Sequence, residues 1–187
     1  ALGADDNASG ASSEEVFARA VVEAAPRRAV IFASFAMEGD GLVGSKAFCG
    51  RLPVTSDQIV AMLNLDMIGV GDKTEVVVLG LVQNPALEST LDRALRLSRT
   101  GIREFRDCRD PGLFERSDHH SFHQLLGVPV LFFFENYPVE RNPDYHTWRD
   151  TVETVDTEKV TNTARLAFNT AWLWANDDER PPRPSTR

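Results

Sequence analysis

Short apolar runs and helically spaced apolar positions alternate along this chain. Val16, Phe17, Ala20, Val21 and Ala24 recur on one helical face behind Ser12-Ser13-Glu14-Glu15. Hydroxyl caps followed by acids predict a helix start there. Pro26-Arg27-Arg28 closes that helix, and residues 29–36 are an unbroken apolar run that predicts a first, buried strand. A short helix is expected over 44–51, stopped before Pro53. Residues 59–68 are again almost wholly apolar, the pattern of a central strand buried on both faces.

Glycines at 69 and 71 turn the chain into a third expected strand over 74–81. Pro85 opens a helix carrying Leu87, Leu91, Ala94 and Leu95, with Gly101 suited to its C-terminal cap. Residues 102–105 suit a short edge strand, and 106–116 a charged loop. Ser117 or Asp118 caps a helix ended by Gly127, and 129–135 form a fourth strong strand. Asp156 caps a last helix whose stripe is Val160, Ala164, Ala167, Phe168, Ala171 and Trp172. Strands alternating with helices predict an α/β fold in three layers, α/β/α, around a mostly parallel (mixed) central sheet. Residues 1–176 read as one domain, and the proline-rich stretch 177–187 as a disordered tail.

Composition narrows the function. The chain carries 20 Lys+Arg against 28 Asp+Glu, a net charge of −8. That excludes general nucleic-acid and anionic-membrane binding, which need clustered positive charge, and suits a cation site. No apolar run is long enough to span a bilayer. Cys49 and Cys108 are the 2 cysteines, too few for a disulfide framework. They are either one disulfide or two buried thiols.

Ionisable groups fall at expected strand ends. Asp5-Asp6 precede the first helix, Glu38 and Asp40 follow the first strand, and Asp66 ends the second. His146 lies in the loop after the fourth. Strand ends on one edge of a parallel sheet converge, so these groups can meet, and carboxylates with a histidine suit divalent zinc. Asp66 is flanked by core residues, where an acid needs a partner or a metal. Asp6 is equally an ordinary turn residue in isolation, and His146 an ordinary surface histidine. His119 and His123 share a helix face, but no HExxH glutamate accompanies them. They are a metal pair, a polar face or groups supporting another site.

Several segments in order carry a resemblance: Gly3-Ala4-Asp5-Asp6-Asn7-Ala8-Ser9-Gly10, Glu38 with Gly41-Leu42-Val43-Gly44-Ser45, Asn64-Leu65-Asp66-Met67-Ile68-Gly69, Ser117-Asp118-His119, and Tyr145-His146-Thr147 with Asp150-Thr151. Together they resemble the co-catalytic zinc peptidases of clan MH, which include aminopeptidase Y and bacterial leucyl aminopeptidases. Glutamate carboxypeptidases and glutaminyl cyclases are relatives. The resemblance implies a phosphorylase/hydrolase-like fold whose first strands are missing here. It implies two zinc ions per site, with Asp6 bridging, Asp66 on one ion and His146 on the other. It implies Glu38 as general base, acting on peptides or small N-terminal amino-acid substrates, and a secreted or periplasmic setting.

Two departures follow from the same comparison. The family's second glutamate, a zinc ligand, falls on Gly39, with Asp40 one residue further on. No histidine precedes His119, so the family's upstream zinc histidine has no counterpart in these residues. The expected function is therefore an aminopeptidase-type hydrolase. The alternatives are a catalytically decayed binding domain and a glutaminyl-cyclase-like acyltransferase.

Overall fold

The computed structural model describes residues 2–138 and 141–184. Its centre is a four-stranded sheet of β1 (Met62–Leu65), β2 (Glu75–Leu79), β3 (Glu104–Asp107) and β4 (Val130–Phe134), in the order β1-β4-β2-β3. β1 runs parallel to β4 and β2 parallel to β3, whereas β2 and β4 are antiparallel. The sheet is thus mixed, as the alternating pattern implies.

Side chains of β4 divide the core by the two-residue period of a strand. Leu131 and Phe133 face a cluster with Phe17, Leu91, Ala94 and Leu166. These come from α1 (Gly10–Ala24), α3 (Glu88–Ser98) and α6 (Thr157–Asn176). Val130, Phe132 and Phe134 face the opposite cluster, with Cys49 and Phe122. Those belong to α2 (Val43–Cys49) and α5 (His119–Leu126). Helices therefore cover both faces, and all five β4 residues are buried, which is why that segment reads as uninterrupted apolar sequence.

Local chemistry fixes the element ends. Asp156 caps α6 through the N–H groups of Glu158 and Lys159. Gly127 ends α5 in the left-handed region, φ 58°. Gly44 has no room for a Cβ, because the carbonyl of Ala36 occupies that position. This close approach seats the start of α2 against the segment before it. Lys159 is buried, and its ammonium donates to the carbonyls of Asp72, Glu75 and Glu135 at 2.8, 2.6 and 3.0 Å. It ties α6 to the start of β2 and the end of β4.

Several sequence expectations are corrected. Residues 29–36 form no strand: the segment is without ladder partners. A cavity of about 490 Å³ separates it from β1, lined by Ala29, Ile31 and Phe35 on one side and Ile59, Ala61 and Leu63 on the other. An apolar run becomes a strand only where a neighbouring backbone supplies its hydrogen bonds. α1 starts at Gly10 rather than at Ser12, because Ser9 and Ser13 hydroxyls are engaged with backbone carbonyls of Asp5 and Ser9. α3 ends on Arg99, which itself takes the left-handed conformation, so Gly101 is not the cap. The loop expected over 106–116 contains the end of β3 and a short helix, α4 (Pro111–Phe114), whose first N–H groups bond Asp110. Of the expected tail 177–187, residues 185–187 lie outside the described residues; within the rest, Arg183 donates to the carbonyls of Ser56, Ile59, Leu126 and Gly127. Cys49 and Cys108 are both buried free thiols.

Candidate metal and acid–base site

Parallel β1 and β4 deliver their C-terminal ends to one edge of the sheet, and the site lies there. Asp66 follows β1 directly, and its backbone N–H still bonds the carbonyl of Phe133 on β4 at 3.4 Å. Ser117 donates its hydroxyl to Asp66 Oδ2 at 2.7 Å and accepts from Asn64 Nδ2 at 2.7 Å. A side chain of β1 thus aims the acid that follows it. Asp66 Oδ1 is buried and has no hydrogen-bond partner.

Asp6 and His146 face Asp66 from two loops. The segment Ala4–Ser9 is held by Asn7, whose side chain donates to Leu65 O at 2.9 Å and accepts from Gly10 and Met67 N–H at 3.1 and 3.3 Å. His146 Nε2 lies 3.1 Å from Asp6 Oδ2, and its ring stacks on Tyr145 with centroids 3.8 Å apart. His146 has left-handed backbone, φ 56°, a sparsely populated conformation for a residue with a Cβ. Glu38 closes the arrangement from the loop before α2. Asp6, Glu38, Asp66 and His146 all line one small cavity of about 30 Å³, with Met67, Leu113, Arg116, Ser117, Phe132, Phe134 and Tyr145.

The electrostatics are those of acids gathered close together. Burial, then the negative charges of Asp118 and Asp6, raise Glu38 to about 7 against the pull of Arg116. Burial raises Asp66 to about 7, opposed by the Ser117 hydrogen bond and reinforced by Asp6, Glu38 and Asp118. Burial raises Asp6 as well, with His146 pulling it down. Carboxylates crowded this way, one with an orphaned buried oxygen, form a donor set whose chemistry fits a divalent cation. Asp6, Asp66 and His146 offer the oxygen and nitrogen donors that such a cation takes. Among the described residues, however, no set of three or more His, Cys, Asp or Glu is placed to hold a metal together. The ready-made contact is a pair, Asp6 with His146.

Beneath the site lies a buried polar base. Asp5 Oδ1 accepts from Gly69 N–H at 2.8 Å, and Glu135 Oε2 from Val70 N–H at 2.6 Å. Asn142 Nδ2 bridges Asp5 Oδ2 and Glu135 Oε1 at 3.2 and 2.9 Å. Burial and the neighbouring Asp5 carboxylate push Glu135 up. Asp150 accepts from the N–H groups of Asp5 and Asp6 at 2.7 and 3.1 Å.

The remaining candidates lie elsewhere. Asp40 is exposed and Gly39 has nothing within 4 Å of where a Cβ would stand. His119 is fully buried, stacked on Phe132 at 4.6 Å, and its pKa is lowered to about 3 by burial. His119, His120 and His123 surround the Phe114 ring at 4.9, 5.9 and 5.3 Å. His119 is therefore a core group beside an aromatic ring, not part of a polar face. Arg116 and Tyr145 also line the wall, where Arg116 donates to the Tyr145 hydroxyl at 2.8 Å. Sequence reasoning gave Tyr145 no role of its own; its adjacency to His146 is the signal that could have found it.

Comparison with known proteins bears on the chain as a whole. A family model described as peptidase family M28 matches residues 1–171. A probable leucine aminopeptidase of Arthroderma benhamiae is 28% identical over 178 residues, covering 92% of this chain and 48% of its own length. A probable zinc metalloprotease of Leptosphaeria maculans is 33% identical over 107 residues, covering 54% of this chain and 25% of its own. The structure of an aminopeptidase from Aneurinibacillus sp. strain AM-1 superposes with a TM-score of 0.70 at 26% identity, over 99% of this chain and 42% of that one. The chain thus spans about half the length, or less, of the relatives it matches.

Proposed function

The chain belongs to peptidase family M28, and on that premise we propose that it is an aminopeptidase-type zinc hydrolase domain with Glu38 as its general base. The observation that carries the proposal is the shared cavity: Asp6, Glu38, Asp66 and His146, drawn from separate segments, line one small space. Zinc, when bound by Asp6, Asp66 and His146, supplies Lewis acidity toward water and the peptide carbonyl.

The chain's own groups do the rest. Glu38, raised to about 7, is poised to take a proton from the attacking water near neutrality and return it to the leaving amine. Ser117 and Asn64 hold Asp66 in one orientation. Arg116 donates to the Tyr145 hydroxyl at the wall, which leaves that hydroxyl's own proton available to a substrate carbonyl. Met67, Leu113, Phe132 and Phe134 form an apolar wall beside these groups.

Two observations support a second reading, a binding domain descended from a peptidase. Position 39 offers no ligand, and no group of three metal-binding side chains is assembled among the described residues. Zinc titration followed by hydrolysis of aminoacyl chromogenic substrates separates the two. Zinc-dependent release of the chromophore supports the hydrolase; zinc neither bound nor used supports the binding domain.

A further inference from the structure

The loop that carries His146 is pinned at both ends to the segment that carries Asp6. Before His146, Asn142 donates to Asp5 Oδ2 at 3.2 Å. After it, Asp150 turns its carboxylate onto two successive backbone N–H groups, those of Asp5 and Asp6. Successive N–H groups converging on one acceptor make an anion-binding concavity, and here the anion is a side chain of the same protein. The backbone of Asp150 joins in: its carbonyl accepts from Ala4 N–H at 3.4 Å and its N–H bonds the carbonyl of Thr147 at 3.4 Å. Asp150 is buried and has no cationic partner among the described residues. A buried carboxylate without a counter-ion is retained where its hydrogen bonds hold something in place.

We propose that Asp150 is a positioning residue for the zinc site, setting the Asp6 carboxylate and the His146 ring at ligating separation by holding their two segments in register. The proposal rests on the hydrolase reading, because it concerns the ligands that reading assigns. It differs from a plain stability role in one respect. Both of its side-chain bonds end on Asp6 or the residue before it, and its own loop holds His146. Removing them shifts the two groups relative to each other, while most of the core is untouched. Outer partners of metal ligands typically contribute about 10–100-fold in metal affinity.

The test uses Asp150→Asn in the full chain. Asparagine keeps the shape but turns one of the two acceptors into a donor, which cannot face an N–H. Leu166→Ala, a cavity in the fully buried core, serves as a destabilised control. Zinc affinity is measured by competition with a chromogenic chelator, at a temperature where all variants are folded. The ring ¹⁵N resonances of His146, assigned by their loss in His146→Gln, are measured in the metal-free proteins. The expected result is a zinc affinity about 10–100-fold lower in Asp150→Asn with a shifted His146 signal. Leu166→Ala should melt earlier yet keep both the affinity and the signal. Unchanged affinity and an unchanged His146 resonance in Asp150→Asn overturn the proposal, as does an equal loss of affinity in the control. If the wild-type protein binds no zinc, the hydrolase reading fails by itself. The His146 resonance then decides the positioning role: a shift supports it and no shift overturns it.

Discussion

His146 Nε2 sits 3.1 Å from Asp6 Oδ2 while the histidine backbone holds φ at 56°. A contact made by a residue in a disfavoured conformation sets stability against function. Glycine at this position relieves the backbone cost, on the order of 1 kcal/mol, and removes the ring. His146→Gly should therefore leave the metal-free protein as stable as wild type or slightly more so, while zinc uptake collapses. Thermal melts in chelator beside zinc titrations check both halves. A variant that melts much earlier than wild type would refute the strain argument.

Glu38 can be separated from the ligands. Glu38→Gln keeps the shape and loses the base, so turnover should drop by at least ~10²-fold while zinc affinity stays close to wild type. Steady-state rates with and without added zinc give the answer. Activity that survives the substitution would assign the proton transfer to another group.

The acids fix a pH signature for the metal-free protein. Glu38 and Asp66 are each raised to about 7, so the folded state holds more protons than the unfolded state between about pH 4 and 7. Their contribution is fully present below the unfolded pKa and is lost as pH rises through the folded one. Melting temperature in chelator should fall as pH rises across that window, and saturating zinc should flatten the slope, because a cation favours the ionised acids. A rising trend in chelator would contradict the burial that raises them.

Gly39 is a direct test of the gap at the site. Its missing Cβ would meet nothing within 4 Å, and its φ is not left-handed, so a glutamate there costs little strain. Gly39→Glu should raise zinc affinity, the gain read by the same chelator competition. An unaltered affinity would mean that position 39 does not face the metal.

Asn7 joins the Asp6 segment to the end of β1 through one donated and two accepted hydrogen bonds. Alanine leaves those backbone groups unpaired and part-buried, at a cost of about 1–3 kcal/mol. Urea denaturation of Asn7→Ala should show the loss as a lower midpoint with an unchanged slope.

The sequence made the core legible where burial is two-sided. β4 is recognisable because every position from Val130 to Phe134 is buried. Residues 29–36 carry the same signal and form no strand, since a ladder needs a second backbone and none pairs with them. His119 and His123 do share a helix face, but spacing cannot say that Phe114 fills the space between them. The acids of the site were visible because Asp66 interrupts apolar sequence at the end of β1 and Glu38 follows the apolar run 29–36. What the sequence could not show is how Arg116 and Asp150 act, the first through a tyrosine and the second through backbone N–H groups.

The Asp5–Glu135 pair also has a dynamic consequence. Through it, amides that belong to different segments, Gly69 and Val70 beyond β1 and the loop anchored by Asn142, share one set of buried acceptors. Such amides open together, since releasing one uncovers an acceptor that holds the next. In deuterium exchange the floor of the site should behave as a single slow block. The apolar run at 29–36, whose N–H groups have no ladder partner, should exchange at rates closer to those of open chain. The molecule then has a rigid floor under its acids and a soft wall across from β1.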